Sequence, residues 1–296
     1  MSASPPAPVT PSIVFGSHTD VGKRRANNED ASRCGRLGAG TLLVVCDGVG
    51  GLKGGEIASR LAVDHLHTEL GERLARAAPP ADRRGWIEAA LRATDRRVRA
   101  AAEQPGLAGM GATASLLWIE GRGAWWGQAG DSRTYLFRGH VLRQLSLDQS
   151  PVGRLRAEGN LTEKDARQHP LRHLIDQCLG GSGGALDPQT GTLDLAVGDV
   201  FLLCSDGLSD GLWDREIADV LESAAAGQAP EEVARTLVNR ANAASGKDNI
   251  TAIVARVERI PRPERPSAAG SGWGRLLGRR GFEGRPKPGP GRAETP

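Results

Sequence analysis

Acidic residues set beside Gly, Ser or Asn recur along this 296-residue chain. Two of them close apolar runs: TLLVVCDG ends on Asp47-Gly48, and VFLLCSDG ends on Asp206-Gly207. Others are Glu29-Asp30 in KRRANNEDA, Asp131 in AGDSR and Asp248 in GKDNIT. A carboxylate at the open end of a strand cannot sit in the core, and rigid elements that each present one oxygen ligand suit a divalent cation. Magnesium and manganese favour octahedral oxygen coordination and retain several waters, so a few carboxylates drawn from several elements suffice. Two carboxylates about 4 Å apart repel by roughly 4 kcal/mol at an effective dielectric of about 20. If these groups converge, a cation must hold them or their pKa values must rise. Arg25, four residues before Glu29, carries a guanidinium fork that matches phosphate oxygens. Each group also has a plainer reading. Asp47 and Asp206 are ordinary strand-end turn residues, Arg25 is a surface charge beside Lys23 and Arg24, and Asp131 caps a turn.

The elements that must position these groups are legible from periodicity. Ile13–Asp20 and the ASRCG segment read as strands, and Thr41–Asp47 is a short buried run. The loop from Gly48 to Glu56, rich in glycine, joins that strand to a long helix over residues 54–78. Ile57, Leu61, Leu66, Leu70 and Leu74 are expected on its inner face. Pro79-Pro80 ends it. A second helix follows, with Ile87, Leu91 and Val98 inward. ATASLLWIE, GAWWGQAG, RTYLFRG and HVLRQLS then switch to period two, as consecutive antiparallel strands. Residues 148–190 read as short helical pieces and Gly-rich loops, a mobile flap. Val200–Ser205, helices over Asp214–Ala225 and Pro230–Ala243, and a strand over Asn249–Glu258 complete the order. Two helix pairs with antiparallel strands predict an α+β layered fold.

Composition bounds the rest. Residues 1–11 are Pro- and Ser-rich and expected to be disordered, and 39% hydrophobic content supports a core over 12–258. Residues 259–296 are expected to be a disordered basic Gly/Pro/Arg-rich tail. From Pro261 onward it holds eight Lys or Arg against three Glu, which leaves the remainder slightly acidic. The basic pI is therefore a property of the tail, and no nucleic-acid partner is expected. The tail segment SGWGRLLGRRGF offers a surface for an acidic membrane or a partner, although a solvated tail is the plainer reading. Four cysteines without a C-x-x-C pair, no apolar stretch of membrane length and no signal-like N-terminus point to a reducing cytoplasm. His65, His67, His169 and His173 show no metal spacing, and Trp125-Trp126 reads as sheet packing on opposite faces.

The segments VGKRRANNEDA, VVCDGVGGLKGGEIAS, MGATAS, AGDSRTYLFRG, LCSDGLSDGL and KDNITAIVARV occur in an order that resembles bacterial PPM-type metal-dependent Ser/Thr protein phosphatases, over about residues 12–258. The resemblance implies a four-layer α-β-β-α sandwich of two antiparallel sheets flanked by helix pairs. It implies two Mn²⁺ or Mg²⁺ ions and a third, weaker one. By position, Asp47 would bridge two ions, Gly48 would offer its carbonyl, and Glu29 would bind the second ion. Asp206 and Asp248 would hold the first, and Asp30 would anchor a metal-bound water. Asp131 with Asp206 would form the third site, and Arg25 would bind the substrate phosphate. The implied reaction is hydrolysis of phosphoserine or phosphothreonine by a hydroxide between the two ions, attacking phosphorus in line. Phosphoproteins are the implied substrates of a monomeric enzyme that opposes a bacterial Ser/Thr kinase. Two other readings remain: a phosphoprotein-binding member with weak catalysis, and a two-metal phosphohydrolase of another substrate class. The chain departs from the family at Val49 (often Met), Leu52 (often His) and Gln149, where Asp148-Gln149-Ser150 replaces the common D-H-S. It has no His near Asp47-Gly48 to act as general acid.

Overall fold

The computed structural model describes residues 10–49, 54–76, 82–181 and 184–262. Strand β1 (Ser12–Asp20) leads to the hairpin of β2 (Asp30–Leu37) and β3 (Gly40–Val49). Helices α1 (Gly55–Arg76) and α2 (Arg83–Ala102) follow, the second capped by Asp82 accepting from the Gly85 amide. Strands β4 (Gly111–Ala112), β5 (Ala114–Glu120), β6 (Gly123–Ala129), β7 (Arg133–Arg138) and β8 (Val141–Gln144) come next. Short helices α3 (Pro151–Ala157) and α4 (Glu163–Gln168) precede β9 (Gln189–Asp194) and β10 (Val200–Cys204). The chain continues with α5 (Asp206–Gly211), α6 (Asp214–Ala225), α7 (Pro230–Ala244) and β11 (Ile250–Arg259). Residues 1–9, the Gly50–Lys53 part of the glycine-rich loop, Pro79-Pro80 and the tail from residue 263 lie outside the described residues.

The strands form two antiparallel sheets. One has the order β1-β11-β10-β7-β8; the other runs β2-β3-β5-β6-β9, with β4 paired to the end of β3. Period-two alternation sorts the side chains into three cores. Leu42, Val44 and Cys46 of β3 pack with Ala62, Leu66 and Leu91 of α1 and α2. Leu43 and Val45 face the opposite way and meet Phe201, Leu203 and Ile253 between the sheets. Leu202 and Cys204 pack against α6 and α7 through Leu221, Val233 and Leu237. The result is the α-β-β-α sandwich. Trp125 joins the helix-side core and Trp126 the inter-sheet core, on opposite faces of β6. Among the described residues no helix is long and apolar enough to cross a membrane.

Three expectations change. The inner face of α1 is Ala58, Ala62, Val63, Leu66 and Leu70, whereas Ile57 is exposed and Leu61 and Leu74 only border the core. Small residues at spacings of four let the helix lie close on the sheet, and this outweighs the larger Ile57 about 100° away. The strands from β5 to β8 are not one meander. β6 pairs with β5 and β9, and β7 pairs with β10 and β8, so the chain changes sheets between them. Gly130 makes that crossing with φ +102, a conformation that L side chains rarely adopt. Residues 189–194, partly counted with the insert, form the edge strand β9. Its mixed QTGTLD sequence lacks an apolar run because an edge strand is half exposed.

Candidate functional site

Strand ends from both sheets meet at one rim of the sandwich. There a cleft of about 920 Å³ is lined by Arg25, Glu29, Asp47, Gly48, Asp131, Asp206 and Asp248, among others. Seven of the eight residues singled out above thus share one cavity. The eighth, Asp30, lies opposite Asp47 in the β2–β3 register and sits just below the floor. Its Oδ2 accepts from Ser205 Oγ at 2.7 Å.

Local hydrogen bonds explain why each acid is held where it is. The Asp47 amide donates to Thr113 Oγ1 at 2.9 Å, and the Thr113 amide donates to the Asp47 carbonyl at 2.8 Å. Thr113 Oγ1 in turn meets Ser132 Oγ at 2.7 Å, which ties β3 to the Asp131 turn. Gly48 backs onto the Gly55 backbone so closely that a Cβ would strike it, and the Glu29 carboxylate lies against Gly55 at the start of α1. The Gly48 amide donates to the Glu29 carbonyl at 3.1 Å. Asn249 secures the loop that carries Arg25 and Glu29. Its Oδ1 accepts from the Glu29 amide at 2.8 Å, and its Nδ2 donates to the Val21 and Asn27 carbonyls at 2.9 Å each. The neighbouring Asp248 Oδ1 accepts from the Asn249 amide at 2.8 Å.

The electrostatics are those of acids forced together. Burial is the first cause for Asp47 and pushes its carboxyl well above the usual range, with the charges of Asp30, Asp206, Asp131 and Asp248 adding to it. Asp206 is raised in the same way by burial, then by Asp131, Asp210 and Asp248. Asp131 is pushed up to about 7 by burial and by Asp148, with Arg133 opposing. Asp30 is pushed up to about 6 by burial, against hydrogen bonds from Thr251 and Ser205. Burial also raises Glu29, and Arg25 counters it. Glu29, Asp47, Asp131 and Asp206 line the cleft, whereas Asp30 does not.

Two buried carboxylate oxygens, Asp30 Oδ1 and Asp206 Oδ1, have no hydrogen-bond donor among the described residues. Clustered, dehydrated and partly unpartnered oxygens fit a hard divalent cation. Among the described residues no three His, Cys, Asp or Glu side chains close into a tight cage by themselves.

Arg25 lies at the cleft mouth, with its Nη2 donating to Asp248 Oδ2 at 2.7 Å. It is therefore engaged with an acid and not turned freely toward a phosphate. The pair strengthens its hold on the proton, through the Asp248 hydrogen bond first.

Four further residues at or beside the cleft were given no site role from the sequence. Asp210 lies one helical turn beyond Asp206 on α5 and also lines the cleft; the i, i+4 pair in DGLSDGL was its only signal. Arg172 and His173 reach the cleft from the insert. Gln149 joins the insert to the Asp131 turn. Its Oε1 accepts from the Gly130 amide at 2.8 Å, and its Nε2 donates to the Asp187 carbonyl at 2.7 Å. Its own carbonyl accepts from the Asp176 amide at 2.7 Å.

A sequence model of the family described as protein phosphatase 2C matches residues 17–250. The chain is 36% identical over 255 residues to the serine/threonine protein phosphatase PstP of Mycobacterium tuberculosis, covering 85% of this chain and 46% of that protein. It thus spans about half the length of that relative. It is 36% identical over 243 residues to the protein phosphatase PhpP of Streptococcus pneumoniae, covering 79% of this chain and 93% of that one. The crystal structure of the PstP catalytic domain in complex with two manganese ions superposes with a TM-score of 0.71 at 34% identity, covering 83% of this chain and all of that one.

Proposed function

Because the chain belongs to the protein phosphatase 2C family, we propose that it hydrolyses phosphoserine and phosphothreonine in proteins with the help of two Mn²⁺ or Mg²⁺ ions. The observation that carries this reading is the convergence of Asp47, Asp131, Asp206 and Asp248 on one cleft from four separate strand ends, with buried carboxylate oxygens left unpartnered. Asp47 would contribute to holding both ions, and the Gly48 carbonyl would add an oxygen ligand. Asp206 and Asp248 would complete the first and Glu29 the second, and Asp131 with Asp206 would take a third, weaker ion. When bound, the ions activate water and offset the charge that develops on the phosphoryl oxygens.

The chain's own residues then do the positioning. Asp30, bonded to Ser205, supports Asp47 from below. Asn249 holds the loop that carries Arg25 and Glu29 to the turn that carries Asp248. Arg25 presents planar donors at the mouth, where a phosphate exchanges for its present bond to Asp248. One chain carries all of these acids, so a monomer suffices. Its four free cysteines suit a reducing cytoplasm, and the proposed substrate chemistry supports a role opposite a Ser/Thr kinase.

Hydrolysis of p-nitrophenyl phosphate and of a phosphothreonine peptide, with Mn²⁺ and with EDTA, tests the reading. Turnover is expected only with the metal, and Asp47→Asn should lower kcat by at least ~100-fold and weaken Mn²⁺ binding. Near-wild-type turnover in that variant would refute the assignment.

A further inference from the structure

The acidic floor of the cleft is bordered by cations, and those cations are not equivalent. Arg25 is paired with Asp248 at 2.7 Å, and Arg99, which also lines the cleft, is paired with Asp95 at 3.0 Å. Two others, Arg172 and Lys247, line the same cleft but form no ion pair among the described residues. Arg172 belongs to the exposed turn after α4, where its one side-chain hydrogen bond among the described residues is a long one, Nη1 donating to the His169 carbonyl at 3.4 Å. Lys247 is exposed in the turn that leads into β11, directly before Asp248. Two separate elements thus hold a cation at the cleft and leave it unneutralised, although the molecule pairs most arginines bordering its clefts. In the smaller adjoining cleft, Arg133 is held by Asp148, Arg156 by Asp214 and Arg167 by Glu163. Arg172 lines that second cleft too, so its side chain overlooks a broad stretch of the approach to Asp131 and Asp206.

Resting on the proposed function, we propose that these two cations read the residues around the scissile phosphate, and that the cleft prefers phosphoproteins with anionic side chains flanking the phosphorylated residue. A peptide in this cleft passes over a floor of carboxylates. Acidic flanks are repelled by that floor unless a counter-charge stands where they lie, and unpaired rim cations supply it. Basic flanks meet the same cations as like charges. Exposed charge pairs are screened by salt and act mainly on encounter and register. The expected size is therefore modest, about tenfold in kcat/KM between acidic and neutral flanks at low salt.

The test uses the full chain with Mn²⁺ and phosphothreonine peptides of equal length, flanked by Asp and Glu, by Ala, or by Lys. One further peptide carries a second phosphothreonine in the flank. The readout is the ratio of kcat/KM values within each protein, so a general loss of activity in a variant cancels. Wild type should favour acidic over neutral flanks by about tenfold, and the preference should shrink at about 0.5 M salt. Arg172→Ala with Lys247→Ala should bring the ratio close to one, and Arg172→Glu with Lys247→Glu should invert it. A doubly phosphorylated peptide that outpaces the carboxylate peptides identifies the favoured anion as phosphate; the reverse identifies it as Asp or Glu. Equal rates on acidic and neutral peptides in wild type, or a preference that survives in the double variants, would overturn the proposal. Hydrolysis of p-nitrophenyl phosphate without turnover of any peptide would remove the underlying phosphoprotein reading instead.

Discussion

At the scale of single residues, the site is governed by the difficulty of dehydrating several negative charges in one place. Burial comes first among the causes that raise Asp30, Asp47, Asp131 and Asp206. For an acid whose folded pKa lies above its ordinary value near 4, the folded state binds the extra proton between those two values. Stability of the metal-free protein therefore falls as pH rises through the window from about 4 to about 7 set by Asp30 and Asp131. Metal binding must displace those protons and should strengthen over the same range. Thermal melts in EDTA should show a lower Tm at pH 8 than at pH 5, and saturating Mn²⁺ should raise Tm by more at pH 8. An increment independent of pH would count against cation binding by these acids. Arg25 invites a kinetic test. Its pair with Asp248 is half exposed and adds little to stability, so Arg25→Ala should fold normally. It should raise KM for p-nitrophenyl phosphate about tenfold with a smaller change in kcat, as expected when a contact is made equally in ground and transition states. Arg25→Lys should recover only part of this, because it lacks the planar fork. A fall in kcat at unchanged KM would contradict the phosphate role.

At the scale of elements, the insert between β8 and β9 is clasped at its base. Gln149 binds Gly130 on one side and Asp187 and Asp176 on the other. Arg154 pairs with Asp176, and Asp95 and Arg99 of α2 hold the returning chain at Gly180 and Gly181. The insert is thus anchored at the turn that carries Asp131, while Arg172 and His173 are left at the cleft. Gln149→Ala removes two side-chain hydrogen bonds, worth about 1–3 kcal/mol together. The loss should be local. Hydrogen exchange should quicken in residues 150–187 while the paired strands β10 and β11 keep their protection. Gln149→Glu retains the acceptor for Gly130 but not the donor to Asp187, and should fall between. Equal loss of protection through both sheets would show that Gln149 serves overall stability and not the insert.

At the scale of the whole molecule, three cores hold the four layers, and the acids occupy the rim where both sheets end. All of this lies within Met1–Pro261. A chain ending at Arg262 should therefore keep its Tm within about 2 °C and keep its turnover of p-nitrophenyl phosphate. A large fall in either would show that the tail takes part in folding or catalysis. Most of the element order, the continuous apolar runs of β3 and β10 and the strand-end aspartates were legible in the sequence, because periodicity and turn residues are local properties. The tertiary structure alone decided which apolar faces meet. It moved the chain from one sheet to the other at Gly130, gave the inner face of α1 to Ala58 and Ala62 in place of Ile57, and made an edge strand of Gln189–Asp194. It also decided that Arg25 binds Asp248 and that Ser205 supports Asp30, partners more than 170 residues apart in the chain. Local chemistry states what each side chain is able to do, whereas which groups share one small, poorly solvated volume depends on how the layers close.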